Sequence, residues 1–370
     1  MNALGLVFSN IHDRNVPELT QERTMGSIPF CGRYLLVDFT LSNMVNSGVA
    51  KVGVITKSNY QSLMDHIGSG KDWDLARRQG GLHILPPFGV KGNVLYNTRL
   101  EALRGAQNFL KRSDEEYVIM SDCDIVCNMD FDKVLRFHVK RNADITVVYV
   151  KKDAEEIKNV EGRIIVNHDA DNRINEISID PNLEGEVKYS TNVYVLKRTL
   201  LLTLINDAIS HGYSHFGQDV LIRNVNNLRI FGFEHYGYFV AINSLAGYYS
   251  ESLKFLNKNV RDEIFRTVDV FTKVKDSAPT RYGANSVVKN SLIADGCIIE
   301  GTVENSIIFR GVKIGRGAVV KNSIIMQGSF VGENAQLNCI ITDKSVVIKD
   351  KRILSGCETL PFFINKNNIV

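Results

Sequence analysis

Six cysteines are the residues whose type most directly suggests chemistry, because thiolates bind zinc and form disulfides. They are scattered along the sequence, at Cys31, Cys123, Cys127, Cys297, Cys339 and Cys357. No C-x-x-C pair occurs, and the two that lie four residues apart, Cys123 and Cys127, have no matching second pair. The spacing therefore predicts reduced, partly buried thiols and no zinc site.

Basic side chains are spread over the chain rather than concentrated in one run. The formal net charge is +3 for 370 residues, which gives no reason to expect binding to nucleic acid or to an anionic membrane surface. Four basic residues, Arg33, Lys51, Arg77 and Arg78, could bind an anionic effector or could lie on the solvated surface. The sequence leaves both interpretations open.

The first ten residues, MNALGLVFSN, contain a short apolar stretch without a basic leader or a small-residue cleavage site. This favours a first strand over a signal peptide. No apolar window approaches the ~20 residues that a membrane-spanning helix needs. The composition, with 44% hydrophobic and 23% charged residues, is typical of a globular protein. We expect a cytoplasmic protein that does not bind membranes.

Up to residue 243, β-rich runs alternate with helix-like segments. The predicted strands are Leu4–Phe8, Val52–Thr56, Tyr117–Ser121, Ile145–Val150, Tyr194–Leu196 and Phe239–Ile242. The predicted helices are Leu41–Ser47, Gln61–Ile67, Arg99–Leu110 and Asp132–Arg141. This alternation indicates an α/β domain with a doubly wound, mostly parallel sheet over residues 1–243. Ligands of such sheets bind beyond the carboxyl ends of the strands, so chemistry is expected there.

A predicted helical linker at residues 244–279 is followed by a repeated sequence pattern. Asn290-Ser-Leu-Ile returns as Asn305-Ser-Ile-Ile, Asn322-Ser-Ile-Ile and Asn338-Cys-Ile-Ile. This period predicts a left-handed β-helix over residues 280–370. All eight histidines precede residue 280, which argues against an acyltransferase with a histidine base in this region. A platform for oligomerisation or for an effector is the better interpretation.

The segment IPFCGRYLLVDFTLSNMVNSG, residues 28–48, resembles bacterial glucose-1-phosphate adenylyltransferases, also called ADP-glucose pyrophosphorylases. Those enzymes carry P-F-G-G-R-Y-R-x-x-D-F-x-L-S-N-x-x-N-S-G at this place, and Phe216-Gly217 with Asp219 resembles their F-G-x-D motif. The resemblance covers essentially the whole chain. It implies a Rossmann-like nucleotidyltransferase domain in which Mg²⁺, held by carboxylates, and cationic side chains stabilise charge on the transferred phosphate.

The elements of that family that contact phosphate are altered. Its glycine-rich loop after the first strand is replaced by residues 9–20, where His12, Asp13 and Arg14 occupy the place of the phosphate cradle. Glycines are needed there because backbone N–H groups must approach the triphosphate closely. Met25 stands where the family has a lysine that faces the phosphates. Arg14 and Arg23 are the nearby cations that could compensate.

The metal and sugar-phosphate positions also differ. Asp122 and Asp124 follow the predicted strand at residues 117–121 and could be vestigial metal ligands or turn formers. Ala241 matches the family's second metal-binding aspartate, and one carboxylate alone would hold Mg²⁺ weakly. Asp180 replaces the sugar-phosphate lysine, and its charge could be offset by Lys188.

The family's G-T-A-D-A loop on the adenine side reads Thr98-Arg-Leu-Glu-Ala, which places Glu101 in the altered pocket. By contrast, Arg33, Asp38, Ser42 and Asn43 match the family, and we expect them to have a fold or interface role. Asp38 is expected to pair with a backbone group or an arginine.

These replacements beside an intact scaffold resemble the non-catalytic, GlgD-type subunits of the family. The resemblance implies a regulatory or assembly subunit that forms a hetero-tetramer with a catalytic homologue and requires no cofactor. The alternative is an active adenylyltransferase that uses Mg²⁺ with Asp122 or Asp124, Arg23 and Lys188. A third possibility, compatible with the first, is a module that senses a nucleotide or sugar-phosphate effector without turnover.

Overall fold

A computed structural model describes residues 2–87 and 96–370. The first domain contains the strands β1 (Ala3–Phe8), β2 (Pro29–Phe30), β3 (Tyr34–Leu35), β4 (Lys51–Ile55), β5 (Gly81–Leu85), β6 (Tyr117–Asp122), β7 (Ile125–Cys127), β8 (Ile145–Asp153), β9 (Ile164–His168), β10 (Ile174–Ile179), β11 (Glu186–Lys197), β12 (Ile230–Glu234) and β13 (Phe239–Ala241). The helices are α1 (Pro17–Thr20), α2 (Leu36–Asn46), α3 (Gln61–Ile67), α4 (Arg99–Gly105), α5 (Gln107–Lys111), α6 (Phe131–Lys140), α7 (Ala154–Ile157), α8 (Arg198–His211), α9 (Leu245–Lys254) and α10 (Lys258–Phe265).

The predicted α/β architecture is confirmed, and its main sheet is mixed. Strands β5, β4, β1 and β6 lie side by side and run parallel. Beyond β6 the order continues through β11, which is antiparallel to β6, β8 and β9. The short connection between β9 and β10 also makes these two strands an antiparallel pair, because a few residues can join only antiparallel neighbours whereas parallel strands need a long crossover. The parallel half brings the carboxyl ends of β1 and β6 together, with Phe8 opposite Asp122.

Helix α3 has the predicted bounds and α6 is shifted by one residue at each end, whereas two other helices differ more from the prediction. Helix α2 begins at Leu36, five residues before the predicted start, because the Asp38 carboxylate accepts a hydrogen bond from the Leu35 N–H (2.9 Å) and caps the helix. The predicted helix at residues 99–110 is divided at Ala106 into α4 and α5. Strand β13 lies outside the main sheet, in an antiparallel pair with β7.

The C-terminal region forms the predicted β-helix. Its short strands are β14 (Arg281–Tyr282), β15 (Val287–Lys289), β16 (Leu292–Ile293), β17 (Ile298–Ile299), β18 (Thr302–Glu304), β19 (Ile307–Ile308), β20 (Lys313–Ile314), β21 (Val319–Lys321), β22 (Ile324–Ile325), β23 (Phe330–Val331), β24 (Gln336–Asn338), β25 (Ile340–Thr342), β26 (Val347–Ile348), β27 (Ile353–Ser355) and β28 (Phe362–Ile364). They form three parallel sheets of five strands, and every third strand belongs to the same sheet.

The repeated Asn-Ser dipeptide explains the corners of this solenoid. Asn290, Asn305 and Asn322 adopt positive φ angles of 41° to 48°, a conformation that asparagine tolerates better than most residues. The serines that follow stack between coils, since Ser306 Oγ accepts the Ser323 N–H at 3.0 Å. In the fourth coil the left-handed residue is Cys339, one position later than the predicted repeat.

The two domains share one hydrophobic core. Buried β-helix side chains, including Phe309 and Met326, belong to the same cluster as Phe30 and Phe39 of the first domain. Helices α9 and α10 cover part of the predicted linker and contribute buried residues such as Tyr248 and Ile264 to that cluster. The linker is therefore packed between the domains. Within the described residues, no helix is long and apolar enough to cross a membrane.

Candidate functional site

The carboxyl ends of β1 and β6 hold a compact cluster of charged side chains. Asp122 is the last residue of β6, Asp124 follows it, and His12 comes from the loop after β1. His12 Nδ1 lies 2.7 Å from Asp124 Oδ2 and 3.7 Å from Asp122 Oδ2. The sequence predicted chemistry at this edge of the sheet. Both aspartates were predicted as candidate metal ligands. His12 was predicted only as one of the residues that replace the family's phosphate-binding loop.

Arg99 completes this cluster. Its Nη2 atom lies 2.7 and 2.6 Å from the two carboxylate oxygens of Asp122. The guanidinium is also about midway between two aromatic rings, 5.2 Å from the Phe8 centroid and 5.3 Å from the Tyr194 centroid. Only 7% of Arg99 is exposed. Arg99 was not predicted as a site residue, because no local pattern shows that the first turn of α4 points at β6.

A capping box at the start of α4 orients Arg99. The Glu101 carboxylate accepts hydrogen bonds from the N–H groups of Asn97 (2.7 Å) and Thr98 (3.2 Å), while the Thr98 hydroxyl accepts from the Glu101 N–H (3.3 Å). These contacts satisfy backbone donors that a helix N-terminus leaves unpaired. Glu101, predicted in the altered pocket, therefore lies next to it as a helix cap.

Two cationic groups thus face two carboxyl groups in a largely buried space. Burial lowers the pKa of His12, but the Asp124 and Asp122 carboxylates raise it more, to about 9. His12 is consequently protonated at neutral pH. The cluster is close to electrically balanced by the chain's own side chains.

Ala241 lies beside this cluster. It pairs with Ile125 across β7 and β13, and the N–H of the next residue, Ile242, donates to the Asp124 carbonyl oxygen at 2.9 Å. Alanine has no donor atom for a metal. A cavity of about 240 Å³ adjoins this position and is lined in part by Tyr189 and Asn243.

The residues of the cluster do not fit the magnesium ion that the family resemblance implies. Mg²⁺ requires near-octahedral oxygen ligation, usually with one or two carboxylates and several waters. Here Arg99 contacts both oxygens of Asp122, and protonated His12 contacts Asp124. The family resemblance aligns Ala241 with the second carboxylate. Potential ligand atoms of His12, Asp122 and Asp124 lie within 4.8 Å of one another, but both oxygens of Asp122 are already engaged by Arg99.

The loop after β1 borders a cavity of about 670 Å³. Asp13 fixes this loop, because its carboxylate accepts hydrogen bonds from the Met25 N–H (2.8 Å) and from Asn10 Nδ2 (2.7 Å). Burial raises the pKa of Asp13 to about 6. Arg14 lines the cavity and donates to Asn97 Oδ1 at 3.2 Å, so this predicted pocket residue lies at a pocket.

Arg23 does not compensate for Met25 in the pocket. It is buried and forms a bidentate ion pair with Asp343 of the β-helix, with both distances 2.8 Å. The reason is that the chain turns Arg23 towards the β-helix, where a buried carboxylate requires a counterion. Met25 itself is buried in the core.

Asp180 and Lys188 have different partners in the structure. The Asp180 carboxylate accepts hydrogen bonds from the N–H groups of Gly162 and Arg163, both at 3.0 Å. Asp180 therefore stabilises a turn. Lys188 lies on β11 opposite Lys151.

The residues that match the family have structural contacts. Asp38 pairs with a backbone group, the Leu35 N–H, which is one of the two predicted alternatives. Its side-chain partner is His66, whose Nε2 lies 2.6 Å away. Asn43 Nδ2 donates to the Cys127 carbonyl oxygen at 2.9 Å. Ser42 contacts Phe271 of the linker. All six cysteines are free, as predicted, and all but Cys357 are buried.

A second feature, which we call the basic cavity, lies where the first domain, the linker and the β-helix meet. Its volume is about 260 Å³, and its cationic residues are Arg33, Lys273, Lys275, Arg310 and Lys344. Of the four basic residues singled out in the sequence, only Arg33 lies here. Lys51 pairs with Glu115 (3.4 Å), Arg77 pairs with Asp74, and Arg78 is exposed.

The fold and site define a nucleotidyltransferase-type α/β domain joined to a hexapeptide-repeat β-helix. Residues 15–231 match the family model described as nucleotidyl transferase, and residues 275–356 match the model described as GlmU-like, C-terminal hexapeptide.

Curated relatives are similar over nearly the whole chain. The glycogen biosynthesis protein GlgD of Bacillus subtilis is 33% identical over 98% of this chain and 95% of its own length. GlgD of Geobacillus stearothermophilus is 36% identical over 85% of this chain and 82% of its own. The glucose-1-phosphate adenylyltransferase of Thermosipho africanus is 34% identical over 86% and 77%. The chain belongs to the family that contains these GlgD proteins and glucose-1-phosphate adenylyltransferases.

Proposed function

We propose that this chain is a non-catalytic, regulatory or assembly subunit that acts in the cytoplasm with a catalytic glucose-1-phosphate adenylyltransferase in glycogen biosynthesis. The observation that carries the proposal is the environment of Asp122, where Arg99 contacts both carboxylate oxygens. The family resemblance adds that Ala241 aligns with the second metal-binding aspartate. The similarity to two GlgD glycogen biosynthesis proteins supports the same role.

The chemistry of nucleotidyl transfer explains why this environment matters. Catalysis of phosphoryl-type transfer depends almost entirely on positioning and on cationic stabilisation of the phosphate oxygens. In this chain the carboxylates that would hold a metal are used to neutralise Arg99 and His12. The sugar-phosphate lysine is replaced by Asp180, whose carboxylate caps a turn. Neither half of the phosphate-binding machinery remains.

The alternative function, an active adenylyltransferase with substitute residues, is favoured only by the retained pair Asp122 and Asp124. Of its proposed cations, Arg23 is paired with Asp343 of the β-helix and Lys188 lies on β11 opposite Lys151. The alternative therefore loses at least Arg23 as a cation for the phosphates.

The proposed partner is a catalytic homologue of the same fold, in a mixed tetramer. A folded homologue can shift its partner between states of different activity through a shared interface, without chemistry of its own. The proposed effector is an anion, a nucleotide or sugar phosphate, and the basic cavity supplies the charge to bind it.

The test is a pyrophosphate-release assay with ATP, Mg²⁺ and glucose 1-phosphate, using the catalytic homologue from the same cell. We expect that adding this chain changes the homologue's kcat, its KM for glucose 1-phosphate or its response to effectors. A heat-denatured sample of the chain is the control. Absence of any kinetic change, together with elution as separate species in size-exclusion chromatography, would overturn the proposed partnership.

A further inference from the structure

The strongest unassigned feature is the way in which the chain fills the carboxylate pair at the end of β6. Arg99 approaches Asp122 from α4 and is enclosed by the rings of Phe8 and Tyr194. It contacts both carboxylate oxygens within 2.7 Å. A single guanidinium nitrogen, Nη2, makes both contacts, and the two charge-assisted hydrogen bonds hold the guanidinium against the carboxylate.

His12 fills the other side of the pair. Its Nδ1 atom contacts Asp124 Oδ2 and lies within 4 Å of Asp122. The remaining Asp124 oxygen, Oδ1, is buried and has no hydrogen-bond partner among the protein atoms of the described structure. Buried carboxylate oxygens are normally paired. One acceptor at this site is thus left available.

We infer that Arg99 is a built-in counterion that replaces the divalent metal and closes the site to it, while His12 packs against the Asp124 side of the pair. Arg99 is the decisive residue, because its Nη2 atom contacts both Asp122 oxygens, which a metal ion would need as ligands. His12, Asp122 and Asp124 each offer one ligand atom, a nitrogen and two oxygens, and these atoms lie within 4.8 Å of one another. That donor set suits a transition ion such as Mn²⁺ better than Mg²⁺, because imidazole is a poor ligand for Mg²⁺.

The inference extends the proposed function without depending on it. A chain that excludes metal could still regulate, or fail to regulate, a catalytic partner. The two can therefore fail separately, since one is tested by metal binding to this chain alone and the other by the kinetics of a mixture.

The experiment is a Mn²⁺ titration of the full chain, in which electron paramagnetic resonance measures the free Mn²⁺. Thermal unfolding is then measured with and without the ion. The wild-type chain should bind no stoichiometric Mn²⁺ or Mg²⁺ and should show no change in Tm. Arg99→Ala should bind one Mn²⁺ per chain, roughly tenfold or more tightly than wild type. Its Tm should fall without metal and rise again with Mn²⁺.

Three further variants make the result specific. Arg112→Ala removes an exposed arginine at the end of α5 and should behave as wild type. Arg99→Gln keeps much of the side-chain volume and should also gain Mn²⁺ binding, which guards against poor folding of the alanine variant. Arg99→Ala/His12→Ala should lose most of the gained affinity.

Stoichiometric metal binding by the wild-type chain would overturn the inference. So would a folded Arg99 variant, shown by its circular dichroism spectrum, that binds no more Mn²⁺ than wild type. The measurement of metal binding by the wild-type chain can overturn the inference even if the variants fail to fold.

Discussion

Two arginines of this chain satisfy buried carboxylates that would otherwise be unpaired. Arg99 neutralises Asp122 at the end of β6, and Arg23 neutralises Asp343 across the domain boundary. Burying a charge is unfavourable unless a partner of opposite charge and good geometry accompanies it. The sequence predicted that Arg23 could compensate for a lost phosphate-binding lysine. In the structure, Arg23 and Arg99 each balance the charge of a buried carboxylate of the same chain.

The pair Arg23–Asp343 gives a prediction at this scale. Replacing one partner leaves the other buried and uncompensated, so Arg23→Ala should lower the free energy of unfolding by about 3–5 kcal/mol. The double variant Arg23→Met/Asp343→Leu should recover most of the loss, because neither charge remains. Thermal and urea-induced unfolding measure both effects.

The control for this prediction is the neighbouring ion pair between Lys366 and Glu22 (2.8 Å), which joins the same two parts of the chain but is solvent-exposed. Lys366→Ala should change stability by less than about 1 kcal/mol. Equal losses for Arg23→Ala and Lys366→Ala would show that burial does not decide the strength of the Arg23 pair.

The sequence predicted the identity of several site residues but not their contacts. Asp122 and Asp124 lie at the predicted strand end because a short apolar run before them ends at the sheet edge. The partners of these carboxylates come from residues 12 and 99, which are distant in sequence. The directions of Arg23 and Arg99 depend on tertiary packing, so no local pattern could reveal them.

At the scale of elements, the β-helix was the most predictable part of the chain. Its corners require residues that tolerate positive φ, and its interior requires paired apolar residues. The same short sequence motif therefore recurs in each coil. The main sheet was less predictable, because the alternation of strands and helices does not show that β10 and β11 run opposite to the other strands. The start of α2 was missed because its signal is an aspartate inside the first turn.

The serine ladder of the β-helix gives a prediction for an element. Ser323 Oγ accepts the buried Ile340 N–H at 3.1 Å. Removing that acceptor leaves a buried donor unpaired, so Ser323→Ala should destabilise the protein by about 1–3 kcal/mol. Calorimetric unfolding would show the lower Tm. Ser355→Ala, at an exposed position of β27, should stay within about 0.5 kcal/mol of wild type. Identical Tm values for the two variants would contradict the role assigned to the ladder.

At the scale of the whole molecule, the domains meet in one continuous core and around the basic cavity. A ligand bound in that cavity would contact the first domain, the linker and the β-helix at once. Such a position suits an effector, because a ligand shifts an equilibrium only through different contacts in the two states. The resemblance predicted an effector, but the location of the cavity needed the structure, since Arg33 and Lys344 are distant in sequence.

Lys344 makes anion binding at the basic cavity dependent on pH. Burial lowers its pKa to about 8, with a further contribution from nearby cations. The charged groups that act on it are Arg23, Asp343, Lys275 and Lys366. A bound anion favours protonated Lys344, so binding should be strongest below pH 8 and should weaken as pH rises through that value.

Sulfate is a suitable probe because its charge is constant over this range. At pH 7 it should raise the Tm of the wild-type chain, and at pH 9 the rise should be smaller. Lys344→Met should weaken sulfate binding about tenfold at pH 7, whereas Lys349→Met, at an exposed position, should not. Equal sulfate effects on both variants would mean that the anion acts on the solvent or on the general surface.

The most direct test of the proposed non-catalytic role is pyrophosphate release by the pure chain alone, with ATP, Mg²⁺ and glucose 1-phosphate. Asp122→Asn serves as the internal reference, because it removes the charge of the carboxylate that any metal-dependent mechanism at this site would use. We predict no release above the background without protein, and no difference between wild type and variant. Sustained turnover by the wild-type chain that Asp122→Asn abolishes would contradict the account.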